Sequence, residues 1–137
     1  MHTDTLPEDL NRAHALPARY YAGEAMLAME QRAVFARSWQ LVAQQGQLAG
    51  AGDHVVEQIG GVPVLLVRGQ DGVLRAFPNV CRHRAGPLAL CNGTGARALH
   101  CKYHGWTYTL EGQLRSAPEM QDAADFRVED IRLPPLR

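Results

Sequence analysis

Two pairs of soft-metal ligands stand out in this 137-residue chain. Cys81 and His83 form C-x-H, Cys101 and His104 form C-x-x-H, and 17 residues separate the pairs. They lie in the stretch 79–108, NVCRHRAGPLALCNGTGARALHCKYHGWTY, which holds all three cysteines of the chain. Thiolate sulfur and imidazole nitrogen suit zinc, copper and iron–sulfur centres, whereas hard cations prefer oxygen. Turn residues follow each pair: Ala85-Gly86-Pro87 after the first and Gly105 after the second. The pattern is that of two loops presenting donors to one place.

Zinc and a two-iron cluster are the alternatives. Cys2His2 is a common structural zinc set. A finger, however, keeps its two Cys together and its two His together on a helix, and here each pair is mixed. WTYTL after the second pair reads as strand. Mixed pairs fit a [2Fe–2S] cluster in which one iron takes both thiolates and the other both imidazoles.

The elements that must carry these loops can be read from pattern and turns. Short apolar runs SWQLVAQ, HVVEQI, VPVLLVRG, VLRAFPN, WTYTL and QLRSAP are punctuated by Gly60-Gly61, Gln70-Asp71-Gly72 and Glu111-Gly112. Such dipeptides supply the positive φ of tight hairpins, so an antiparallel sandwich or small barrel is expected. Upstream, Glu24 to Arg37 lacks Pro and Gly and places Met26, Met29 and Ala33 on one face, beside Leu27 and Val34. An amphipathic helix with a core-facing Met stripe is expected there.

Composition narrows the function classes. The chain is 46% hydrophobic and 20% charged with formal net charge +0, which gives no sign of nucleic-acid or membrane binding. No apolar run reaches spanning length and no secretory signal is visible. Three cysteines are an odd number, and they cluster, so a reducing cytoplasm is expected and a disulfide framework is not. Gly72 to Leu110 contains no Asp or Glu but does contain Arg75, Arg82, Arg84, Arg97 and Lys102. This part is locally basic, which would offset negative charge on a reduced cluster and attract an acidic partner. Cys91 belongs to neither pair and reads as a plain structural or loop thiol. His2 and His14 read as solvated, and His54 and His100 as strand residues with structural roles.

C-x-H-x17-C-x-x-H followed by GW-x-Y, framed as Asn79-Val80-Cys81-Arg82-His83-Arg84 and Cys101-Lys102-Tyr103-His104-Gly105-Trp106-Thr107-Tyr108, resembles the Rieske [2Fe–2S] domain of ring-hydroxylating oxygenases. LPARYYAGEAMLAMEQRAVFARSWQ resembles the N-terminal region of an oxygenase α subunit, and the likeness covers roughly residues 15 to 120. It implies that Cys81, His83, Cys101 and His104 are the metal and cluster ligands. Arg84, Tyr103, Trp106 and Tyr108 would surround them. Where respiratory Rieske proteins carry a bridging pair of extra cysteines, this chain has Gly86 and Tyr103. Where they carry a serine that donates to a bridging sulfide, it has Trp106. Tyr108 keeps the position that donates to a ligand sulfur. One donor fewer implies the low end of the Rieske range, about −150 mV.

The resemblance further implies a mainly β fold. It would be a Rieske-type antiparallel β-sandwich with a two-loop cluster-binding subdomain, preceded by an N-terminal α-helix. Its parts would be an arm (1–16), a helical segment (17–38), the Rieske domain (39–120, with the cluster subdomain at about 79–108) and a tail (121–137). That tail would lead toward an absent catalytic domain holding mononuclear non-haem Fe(II), for which no histidine follows His104. Either a truncated oxygenase or an unusual one-domain relative is implied, and this chain alone should carry electrons without oxygenating. The implied partners are a reductase or ferredoxin donor and the catalytic domain of a neighbouring subunit in a homotrimer. Nδ1 of each ligand His would face iron, leaving Nε2 free. A stand-alone Rieske ferredoxin and a zinc module remain the alternatives.

Overall fold

The computed structural model describes residues 9–137 and divides into two compact units, 1–39 and 40–137. In the first unit the α-helix α1 spans Glu24–Ala33, and a separate 3-10 turn follows at Phe35–Arg37. The expected single helix to Arg37 breaks at Val34, where ψ reaches −67° and the Ser38 hydroxyl bonds back to the Val34 carbonyl. The Met stripe is not core: α1 has no buried residue, and Leu27, Met29 and Val34 are about half exposed. A 3-10 turn at Leu10–Arg12 lies within the expected arm. His14 is exposed there, while His2 lies outside the described residues.

The second unit is built from two three-stranded antiparallel sheets. The larger comprises β1 (His54–Ile59), β2 (Val62–Arg68) and β3 (Leu74–Pro78) in that order. The smaller comprises β4 (Leu99–His100), β5 (Thr107–Tyr108) and β6 (Leu114–Ser116). Turn chemistry sets the register. Gly60 and Gly61 both take positive φ (54° and 85°), as a type I′ hairpin needs, and Ile59 then pairs with Val62. After β2, Asp71 accepts from Val73 N–H and holds the Arg75 guanidinium at 2.7 Å. Central β2 buries Val64, Leu65 and Val67, as a strand covered on both faces should.

SWQLVAQ, expected as a strand, pairs with no described strand, and Trp39 and Leu41 are more than nine-tenths exposed. Its composition suits a strand, but a strand exists only where another backbone completes its hydrogen bonds.

One core joins the two sheets. Leu65, Val67 and Phe77 of the larger meet Leu99, Tyr108 and Leu114 of the smaller, together with Cys81, Cys101 and Trp106. Residues 121–137, expected as a tail, return across this core. Leu133 is 1% exposed, its N–H bonds to the Gly112 carbonyl, and Leu136 bridges to Ala76. Gln113 fastens the same segment, its amide donating to the carbonyls of Glu129 and Ile131 and accepting from Arg132. The domain therefore does not stop at residue 120.

Candidate metal centre

The two ligand loops share one backbone design. In the first, Cys81 N–H donates to the Gly86 carbonyl and Ala85 N–H to the Cys81 carbonyl. In the second, Cys101 N–H donates to the Trp106 carbonyl and Gly105 N–H to the Cys101 carbonyl. Each loop thus folds back on its own cysteine, with a positive φ at the fifth residue: 56° at Ala85 and 76° at Gly105. A β-carbon costs about 1–2 kcal/mol in that region, and Ala85 bears it where Gly105 does not. The first loop follows β3 and the second bridges β4 and β5, so strand ends of both sheets position them.

The loops bury sulfur and leave the imidazoles nearer the surface. Cys81 and Cys101 are 3% and 2% exposed, while His83 is half-buried and His104 exposed. The two imidazole centroids lie 4.7 Å apart, edge to face. His83 Nδ1 is buried and has no hydrogen-bond partner. Burial, then the proximity of His104 and Arg84, holds the His83 pKa below its usual value, which keeps the ring neutral and able to ligate. The structure thus sets His83 against His104 and buries Cys81 and Cys101 in one core cluster.

Among the described residues no three His, Cys, Asp or Glu side chains close around one point. A structural zinc site needs four donors at one ion, whereas a mixed-ligand [2Fe–2S] cluster needs two donors at each of two ions. Two buried thiols and two adjacent imidazoles nearer the surface suit the second requirement better than the first. The donor set and the orphaned His83 nitrogen therefore fit the cluster.

The four surrounding residues divide by role. The Tyr108 hydroxyl lies 3.3 Å from Cys81 Sγ and accepts from Arg82 N–H at 3.1 Å. Burial, and then Cys81, pushes its pKa far above the ordinary phenol value, so the hydroxyl stays protonated. Trp106 is 4% exposed and stacks on His83, centroids 4.9 Å apart and planes 8° from parallel. Tyr103 lies against His104 at 3.8 Å and is largely exposed. Arg84 is exposed, as are Arg82 and Lys102, and none of the three forms an ion pair with a described residue. Of the basic stretch read from the sequence, these three flank the ligands without an ion pair to a described residue, whereas Arg75 is held by Asp71.

Three further residues shape the site. Asn79 is buried at the end of β3, accepts from Leu88 and Ala89 N–H and donates to the Ala89 carbonyl, pinning the chain that leaves the first loop. Its signal was the polar residue two before Cys81 in an apolar strand. Gly86 packs against the other loop: a β-carbon there would lie 3.0 Å from Cys101 Sγ and 3.1 Å from Tyr103 Cβ. Positions 86 and 103 do face each other, but neither carries sulfur. Phe126 meets the Trp106 ring at 5.5 Å, and nothing local in the sequence marked it. Outside the site, Cys91 is an exposed free thiol, His100 bonds Thr107 Oγ1, and His54 Nδ1 lies 3.1 Å from the Gly52 carbonyl.

Comparison with known proteins agrees with this geometry. The family model for the Rieske [2Fe–2S] domain matches residues 38–129. The carnitine monooxygenase oxygenase subunit of Escherichia coli (strain K12) is 39% identical over 136 residues, covering 96% of this chain and 36% of the relative. The biphenyl 2,3-dioxygenase subunit alpha of Rhodococcus jostii (strain RHA1) is 38% identical over 120 residues, covering 87% and 26%. A solved quaternary ammonium Rieske monooxygenase, described for carnitine oxidation by gut microbiota and inter-subunit electron transfer, superposes with TM-score 0.81 at 35% identity, covering 88% of this chain and 33% of that one. The chain thus spans about a quarter to a third of the length of these relatives. Mainly antiparallel β structure, two matched ligand loops and these likenesses place the chain in the Rieske [2Fe–2S] domain family, among the domains carried by oxygenase α subunits.

Proposed function

We propose that Cys81 and Cys101 ligate one iron of the cluster, that His83 and His104 ligate the other, and that the domain relays electrons to an oxygenase iron site in a neighbouring subunit. The observation that carries this is the pair of loops with identical backbone closure, which bury their two thiols and set their two imidazoles 4.7 Å apart. When bound, the cluster accepts and releases one electron. The protein's part is positional and electrostatic. The core keeps water from the thiols, and the Tyr108 hydroxyl donates toward Cys81. The exposed His104 edge offers a short path outward, with Arg82, Arg84 and Lys102 beside it to attract an acidic electron donor such as a reductase or ferredoxin. The solved relative's inter-subunit electron transfer supports the same exit for this chain. Loss of a serine hydroxyl at position 106 supports a potential at the low end of the Rieske range, near about −150 mV.

Anaerobic preparation followed by metal analysis and EPR tests the reading. Two irons per chain, a red-brown colour and a rhombic signal after dithionite are expected, and Cys81→Ser or His104→Cys should abolish or strongly alter them. A colourless chain holding stoichiometric zinc would overturn it.

A further inference from the structure

Among the described residues, two buried side-chain polar atoms lack any hydrogen-bond partner, and they belong to stacked rings: His83 Nδ1 and Trp106 Nε1. A buried N–H with no acceptor costs about 1–3 kcal/mol, and native structures almost always satisfy it. Phe126 covers Trp106 from another side, and only 4% of the residue is exposed, so solvent does not serve the indole. No carboxylate or other side chain among the described residues accepts from it either. Trp106 immediately precedes β5, and its carbonyl accepts from Cys101 N–H at 2.9 Å. Its side chain packs in the same core as Cys81, Cys101 and Tyr108, whose hydroxyl reaches Cys81 Sγ. The orphaned indole nitrogen therefore belongs to a ring packed among the thiols and stacked on His83.

One absent group accounts for both orphans. The His83 lone pair calls for iron, and the Trp106 N–H calls for an acceptor that no described residue supplies. We propose that Trp106 Nε1–H donates a hydrogen bond to a sulfur of the cluster. The inference rests on the cluster assignment above. Trp106 is then a positioning and tuning residue as well as packing: its ring fixes the plane of His83, and its N–H favours the more negative, reduced state.

The test uses Trp106→Phe, which keeps an aromatic ring on His83 and removes the donor along with part of the indole's volume. Iron content and colour should match the parent, while the reduction equilibrium should shift about tenfold toward the oxidised form, 59 mV lower for one electron. Trp39→Phe, in the exposed indole of the other unit, should leave the equilibrium unchanged. Because the chain has two tryptophans, a Trp39→Phe protein labelled with 15N-indole reports Trp106 alone. Its reduced form should show 15N and exchangeable-proton couplings to the cluster spin. An unshifted equilibrium in Trp106→Phe overturns the proposal. If that variant fails to assemble, absence of the couplings in the labelled Trp39→Phe protein overturns it. A parent chain with no iron–sulfur signal at all would instead overturn the cluster assignment, which separates the two failures.

Discussion

Replacing Tyr108 by Phe deletes one oxygen from a fully buried ring. That oxygen has two partners: Cys81 Sγ at 3.3 Å and the donating N–H of Arg82 at 3.1 Å. Two consequences separate cleanly. On the redox side, a donor to the thiolate stabilises the reduced state, which carries one more negative charge, so its loss lowers the potential. A hydrogen bond of about 1–1.5 kcal/mol converts, at 59 mV per tenfold change for one electron, to a fall of roughly 45–65 mV. On the stability side, Arg82 N–H loses its acceptor in a part-buried bond, so the cluster-free chain should lose about 1–3 kcal/mol. The pH dependence sharpens the test. Burial holds the Tyr108 phenol protonated far above its ordinary range, so the parent-to-variant gap should stay constant from about pH 6 to 9. Above about pH 10 an unfolded tyrosine ionises while the folded one does not, so the parent's stability should fall there and the variant's should fall less. Dye-mediated titration followed by EPR measures the potential, and urea unfolding measures the stability. An equal potential in the two proteins would show that the Tyr108 hydroxyl is not directed at sulfur.

Gly52→Ala should be among the most damaging single changes. Its φ is 84° and a β-carbon there would meet the Ala96 carbonyl oxygen at 2.1 Å, so a loss of about 3 kcal/mol or more is expected in urea unfolding. Ala85→Gly should do the opposite. It relieves a positive φ of 56° and should raise the thermal midpoint by the equivalent of about 1 kcal/mol, an effect that a matching Gly105→Ala should reverse in sign. Asp53 accepts from Gly50 and Gly95 N–H, and these bonds hold its pKa below the ordinary carboxylate value. A depressed carboxylate pKa contributes stability that is present above about pH 4 and lost as pH falls further. Asp53→Asn should therefore be less stable than the parent at pH 7, with the difference narrowing below pH 4 when unfolding is followed against pH.

No helix among the described residues is long and apolar enough to cross a membrane, in line with the absence of long apolar runs. Gly60-Gly61 and Asp71-Gly72 announced β1, β2 and β3 because a tight turn depends on the φ of two or three adjacent residues. The four candidate ligands were legible for a similar reason. Donor type and spacing are properties of the chain, and each loop closes on its own cysteine through bonds spanning five residues or fewer. Position 86 could be read as lacking a bridging cysteine, but not as the site where a β-carbon would press on Cys101 Sγ.

Tertiary structure decided the properties that depend on distant partners. The Met stripe of α1 had a helical period, yet period says only which residues share a face, and no partner element buries that face here. SWQLVAQ had strand composition, yet pairing requires a second backbone. Leu133 and Gln113 bind the C-terminal segment into the core across separations that no local pattern encodes. The same holds for the column in which Phe126 meets Trp106, Trp106 stacks on His83, and His83 meets His104. In sequence Trp106 was placed beside the ligands by resemblance, and read there only as lacking a serine hydroxyl. Only its burial beside an equally unpartnered His83 shows an N–H waiting for an acceptor, because the desolvation that makes an unmade hydrogen bond costly exists only once the chain has packed.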